Sequence, residues 1–184
     1  MSVIPSQLRR AVTATSATLG LGLSGVIAIP TAAQAAPVGI VCAVGSQTTN
    51  YSPPLTNAPR QTTAASTENY GCTSLFTGVS SATGTHTATS EQSCLLTVVP
   101  PTNTSTRTYT WNTGQSSTIT FVSSTVVTAA DGTTTITSLG SVTTGLGQGS
   151  AAVRVVVQPQ LSLTACATTG LNTVNGIATL NILP

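Results

Sequence analysis

The chain has 184 residues with five arginines, no lysine, three acids and a formal net charge of +2, while aromatics make up 3%. Five scattered arginines cannot form the basic surface that displaces counterions from phosphate, so nucleic acid is excluded as a partner, and a charged disordered linker is excluded too. With 38 Thr and 21 Ser, the polar surface is built from hydroxyls, which leaves few titratable groups for chemistry.

Residues 1–35 read as an export signal. Arg9 and Arg10 form a positive start, an apolar stretch runs from Ala11 to Ile29, and Ala33-Gln34-Ala35 is a small-x-small cleavage site. The stretch is interrupted by Thr13, Thr15, Ser16, Thr18, Ser24 and Pro30, which favours a cleaved signal over a membrane anchor. A twin-arginine signal would match at Arg9-Arg10 alone, and Gly39-Ile40-Val41 lacks the small residue a lipid-attachment site needs before Cys42. The expectation is a secreted, extracellular product with no membrane association, forming one domain over residues 36–184. In that domain Arg60, Arg107 and Arg154 balance Glu68, Glu91 and Asp131. A neutral domain has little long-range field with which to steer a charged partner.

Along the mature chain no stretch repeats apolar residues at helical spacing, whereas strand signals are frequent. Pro53, Pro54 and Pro59 mark a stretch poor in backbone donors, ending at Arg60, and Pro100-Pro101 mark another. Rows of alternating threonine follow, at Thr83, Thr85, Thr87 and Thr89 and again at Thr106, Thr108 and Thr110; they recur without a fixed period and read as solvent faces of strands rather than a solenoid. Tyr109 and Trp111 share one face of a strand that enters the turn Asn112-Thr113-Gly114, and Ser117–Phe121 alternates on the return. Asp131-Gly132 is a hairpin turn before Thr133–Thr137, and Gly145–Gly149 is a loop or bulge. Val153, Val155 and Val157 lie on one strand face with Arg154, Val156 and Gln158 on the other; Leu161 and Leu163 point one way; Asn175-Gly176 is a second hairpin turn; Ala178, Leu180 and Ile182 share a face. Short strands with turns at this spacing indicate an all-β antiparallel β-sandwich with immunoglobulin-like Greek-key connections.

The four cysteines, Cys42, Cys72, Cys94 and Cys166, all lie in the mature part, and an even number in an oxidising compartment reads as two disulfides. Of the three possible pairings, Cys42–Cys72 with Cys94–Cys166 is expected, because the first closes the N-terminal third on itself and the second ties a middle strand to a late one. No C-x-x-C occurs and His86 is the lone histidine, so no metal and no cofactor are expected.

A serine-type triad would have to use His86, which lies on the face opposite Thr85 and Thr87 and reads as a surface or edge-strand residue; no nucleophile elbow is present. Three acids, one of them assigned to a turn, do not make a glycosidase pair. The glycines of Gly145–Gly149 lack the lysine and helix of a phosphate loop. The expectation is therefore no enzyme, no catalytic residues, and a binding or structural role at the cell envelope or in the medium. Exposed, Tyr109 and Trp111 would form a sugar-stacking platform for cell-wall glycan, as in a carbohydrate-binding module; facing inward, they are core. Pro53, Pro54, Pro59 and Arg60, inside the Cys42–Cys72 loop, are the candidate loop of a small extracellular protease inhibitor, with an extracellular protein as partner.

The hairpin from Tyr109 to Thr118, flanked by Ser93-Cys94-Leu95-Leu96 and by Leu161–Cys166, and the opening Tyr51–Arg60, resemble small secreted, two-disulfide, Thr/Ser-rich proteins of high-GC Gram-positive bacteria, an uncharacterised group. That resemblance implies a disulfide-linked, immunoglobulin-like extracellular domain and carries no site residues with it.

Overall fold

A computed structural model describes residues 39–95 and 104–184. The export signal and the Pro100-Pro101 segment lie outside the described residues. Eight strands follow one another in the order β1 (Ile40–Leu55), β2 (Arg60–Ser74), β3 (Ser81–Gln92), β4 (Ser105–Trp111), β5 (Ser116–Thr128), β6 (Thr134–Gly145), β7 (Ala151–Gln158) and β8 (Leu171–Leu183), with one short helix, α1 (Leu163–Ala167), between the last two. Each strand pairs antiparallel with the next, and β8 returns to β1 through Ile40↔Ile182, Cys42↔Leu180 and Thr48↔Asn175.

The sheet therefore closes into an eight-stranded up-and-down barrel. The expected immunoglobulin-like sandwich is corrected in topology, though its all-β antiparallel character stands. Two sheets would need connections that cross between them. Here each strand is followed by its own spatial neighbour, and the closing ladder leaves β1 and β8 without a free edge along most of their length.

Alternation sorts each strand into a wall face and a lumen face. β4 sends Tyr109 and Trp111 inward, β5 sends Ser117, Ile119 and Phe121, β7 sends Ala152, Arg154 and Val156, and β8 sends Ala178, Leu180 and Ile182. At the end of the barrel that holds the β4–β5 turn the apolar side chains among these, with Ile40, Cys42 and Val142, form the core. The threonine rows face out and run in register: Thr85 pairs with Thr67 on one side and Thr108 on the other, and Thr108 Oγ1 lies 3.2 Å from Thr118 Oγ1.

Both disulfides form in the expected pairing. Cys42–Cys72 joins neighbouring strands where the β1–β2 register shifts between Val41 and Val44. Cys94–Cys166 ties the segment after β3 to α1 at the opposite end, where Cys94 N–H donates to Thr56 O (2.9 Å) and Asn57 N–H to Cys166 O (3.3 Å). The β1–β2 turn, the β3 exit and α1 are thus laced into one cap.

Two local expectations are corrected. Leu161 and Leu163 do not open a strand, because Ser162 caps α1 by accepting from the Ala165 N–H (3.3 Å), and five residues are too few to show helical periodicity. Asn175-Gly176 is no turn either: it lies inside β8, where Asn175 accepts from Thr48 Oγ1 (2.8 Å) and a Cβ on Gly176 would stand 2.8 Å from Val157 O. Glycine there serves close approach between strands instead of a positive φ. The turn at Asn112-Thr113-Gly114 is as expected, with Gly114 at φ +80 and its N–H donating to Trp111 O.

Candidate functional site

Three of the six charged residues in the described barrel point into the lumen. Glu68 follows the inward series Ser66, Glu68, Tyr70 on β2; Arg107 precedes Tyr109 and Trp111 on the inward face of β4; Arg154 lies between Ala152 and Val156 on β7. Arg60 and Glu91 lie near the capped end and Asp131 in the β5–β6 turn, where its Oδ1 accepts from Thr133 N–H (2.9 Å).

Glu68 is 1% exposed and is met by four side chains. Arg107 donates through NH1 to Oε1 (2.9 Å), Arg154 through NH2 to Oε1 and through Nε to both oxygens, Tyr70 through its hydroxyl to Oε2 (2.8 Å) and Tyr109 likewise (2.9 Å). Arg154 also donates to Gln47 Oε1, whose amide donates to Thr49 Oγ1 (2.8 Å), and Thr49 lies 2.9 Å from Ser66 Oγ. Burial alone would push the Glu68 carboxyl up; the two guanidinium groups and the Arg154 and Tyr70 hydrogen bonds outweigh it and hold the group below the usual carboxylate range. Burial likewise opposes the charge on Arg154, and Glu68 overcomes it, so Arg154 holds its proton more firmly than a free arginine.

Two glycines make the tyrosine contacts possible. A Cβ on Gly45 would stand 2.4 Å from the Tyr70 ring, and one on Gly84 would stand 2.6 Å from the Tyr109 ring, so each phenol lies over bare backbone as it reaches Glu68. The rings meet edge to face with centroids 6.0 Å apart. Gly84→Val is expected to destabilise the barrel by about 1–3 kcal/mol through overpacking, read as a lower urea midpoint at unchanged slope.

Burial and the neighbouring Glu68 charge push both phenols above their ordinary value of 10.0. A raised folded value means that the neutral phenol is the form the barrel holds. Its contribution is complete below pH 10 and is lost as pH rises above it toward the folded value. The expected result is that the absorbance change for tyrosinate from Tyr70 and Tyr109 coincides with alkaline unfolding, seen by circular dichroism, instead of preceding it.

The described β3–β4 ladder ends at Thr85↔Thr108, yet β3 runs on to Gln92 against β2 alone. The β4–β5 ladder ends at Ser105↔Phe121, yet β5 runs on to Thr128 against β6 alone. Residues 96–103, which lead from β3 to β4, lie outside the described residues. Ala88 and Ser90, on the inward face of β3, are exposed. His86, opposite Ser66 on β2, is half-buried and continues the inward series Ala82, Gly84 of β3, one position past the last described β3–β4 pair. Burial, then the charge of Arg107, lower its pKa, with Glu68 acting the other way.

The sequence candidates fall elsewhere. Tyr109 and Trp111 are 0% and 2% exposed, and the indole N–H donates to Ser117 Oγ (2.8 Å), so both belong to the core and neither ring is presented for stacking. Pro53 and Pro54 lie within β1, Pro59 in the short turn after it, and Arg60 at the start of β2 opposite Gln92, half-buried. The charged cluster was missed because Glu68, Arg107 and Arg154 entered the sequence reading only as a balance of net charge. Their place in the alternation, beside Tyr70, Tyr109 and Val156, was the signal. Among the described residues no three His, Cys, Asp or Glu side chains gather as a metal group, and no helix is long and apolar enough to cross a membrane.

No family model, no curated protein and no solved structure matches this chain.

Proposed function

We propose that the chain is a secreted, non-catalytic protein that binds at the cell envelope or in the medium through its outer wall. The observation that carries this reading is that wall, where threonines of β3, β4 and β5 face out in register and form a neutral hydroxyl surface suited to hydrogen bonding with glycan.

Two features support a role without catalysis. Glu68 accepts from four side chains and has no free lone pair with which to take a proton or attack a carbon. His86 makes no side-chain hydrogen bond to an orienting carboxylate among the described residues, as a general base would. The two disulfides and the similarity of the Tyr109–Thr118 hairpin to small secreted proteins support the compartment.

Co-sedimentation of the oxidised protein with isolated cell wall, chitin and cellulose tests the reading. Retention on at least one of them is expected, and no retention on any would overturn it.

A further inference from the structure

Every glycine inside a described strand has a structural cause except one. A Cβ on Gly45, Gly84, Gly140 or Gly176 would stand between 2.1 and 2.8 Å from a ring or a backbone atom, and Gly145 has a φ of +88. Gly71, on the outward face of β2, has neither constraint: its φ is not positive, and an added Cβ would meet nothing closer than Val44 O at 3.7 Å, an ordinary contact. The nearby register shift falls on β1, between Val41 and Val44, and leaves Gly71 paired with Val44 on one side and Ser81 on the other. Glycine in a strand gives up packing, so where neither a bend nor a crowding backbone requires it, close approach of a ligand is the remaining cause.

The missing side chain leaves a shallow depression of about 440 Å³ in the outer wall, bordered by Val44, Ser46, Asn69, Ser81 and Thr83. All five are exposed, Val44 by 75%. The wall beneath is continuous, with Ser46↔Asn69↔Thr83 paired beside Val44↔Gly71↔Ser81, and the residues that lead from β3 to β4 follow the opposite end of β3. The side chains of Ser46, Asn69, Ser81 and Thr83 make no hydrogen bond among the described residues, unlike Thr108 and Thr118, whose hydroxyls lie 3.2 Å apart.

Among the lining residues none is charged, so the depression has nothing to attract an ion. β2 is paired on both sides, which leaves no edge for an extended peptide to join as a strand. The surface on offer is a floor of methyl groups and bare backbone ringed by neutral donors and acceptors. A pyranose ring is its complement, with an apolar C–H face and hydroxyls around the rim. The Asn69 amide can donate to one of two adjacent hydroxyls while it accepts from the other.

We propose that the depression over Gly71 is a subsite for one neutral hexose unit of a glycan chain, with the ring face against Gly71 and Val44 and the hydroxyls on Ser46, Asn69, Ser81 and Thr83. This rests on the reading of the outer wall as a glycan-binding surface and gives that surface a fixed point.

Gly71→Leu tests the subsite, because the new side chain fills the depression and removes no polar group. Wild type and variant are compared by co-sedimentation with whichever of cell wall, chitin and cellulose retains the wild type, and by NMR titration with cellohexaose and chitohexaose. Sugar is expected to shift the wild-type amides of Ser46, Asn69, Gly71 and Ser81. Gly71→Leu is expected to weaken binding by about tenfold or more while its urea midpoint is no lower than that of wild type, a combination that a merely structural glycine would not give. Asn69→Ala, which leaves the depression open and removes its amide, is expected to weaken binding as well, and it decides together with the amide shifts should Gly71→Leu fail to fold. Undiminished binding by the variants, or shifts confined to β4 and β5, would overturn the subsite and leave the outer-wall reading standing. No retention of the wild type on any of the polymers would overturn both.

Discussion

Glu68→Ala is expected to remove most of the stability of the barrel. The substitution leaves Arg154 buried with only Gln47 as a partner and strands the hydroxyls of Tyr70 and Tyr109. Breaking a buried ion pair from one side costs about 3–5 kcal/mol, because the surviving charge has lost its solvent and gained nothing. A domain of this size is stable by about 5–15 kcal/mol in all, so the loss takes a large share of it. Glu68→Gln keeps the shape and one acceptor oxygen, and its expected cost is smaller, though it still leaves two guanidinium groups without a counter-charge. Equilibrium urea unfolding of both variants measures the two effects, and a Glu68→Ala midpoint equal to wild type would show that the cluster contributes nothing.

The same carboxylate gives the protein an acid limit. Its folded pKa lies below the ordinary value of 4.5, so the ionised form is the one the barrel favours. That contribution is complete above the unfolded value and fades as pH falls below it toward the folded value. Wild-type stability should fall with pH in that range, and Glu68→Gln should flatten the fall.

The second large effect belongs to Cys94–Cys166. It closes a separation of 72 residues, against 30 for Cys42–Cys72. Chain-entropy arithmetic assigns about 4.4 kcal/mol to the longer loop and about 3.6 kcal/mol to the shorter. The difference in context is larger than the difference in those figures. Cys42 and Cys72 belong to strands that are already hydrogen-bonded neighbours, whereas Cys94 and Cys166 join the exit of β3 to α1, and that junction also carries the bond from Asn57 to Cys166. Paired Cys94→Ser and Cys166→Ser is expected to lower the Tm more than paired Cys42→Ser and Cys72→Ser. Differential scanning calorimetry of the two double variants compares them directly, and the reverse order would refute the ranking.

Individual strands were legible because alternation is a local property. Ser117–Phe121, Thr133–Thr137 and Val153–Val157 all fall within or next to strands of the expected kind. The disulfide pairing was legible as well, since it follows from which segments can meet. Closure was not, because the pairing of Ile40 with Ile182 leaves no mark on the residues around either, and a tryptophan beside cysteine-bearing strands suits a sandwich equally well. The short links between most consecutive strands were the available sign of a meander. Asn175-Gly176 was misread because that dipeptide tolerates both a tight turn and a crowded strand, and only the Val157 backbone beside it decides which. For the cluster, charge and alternation gave opposing signals about Glu68, Arg107 and Arg154, and alternation was correct.

The ladder between β1 and β8 also sets a timetable for folding. It joins the first strand to the last, so the wall cannot close until residues up to Leu183 are free to pair. Before that, β1 and β7 each present an unsatisfied edge, and Arg154 has not yet reached Glu68, 86 residues earlier. Pairings between such distant segments form slowly, because the chain loses loop entropy before any contact compensates it. A chain whose β8 has not yet emerged therefore has no complete barrel, whatever its first seven strands have formed.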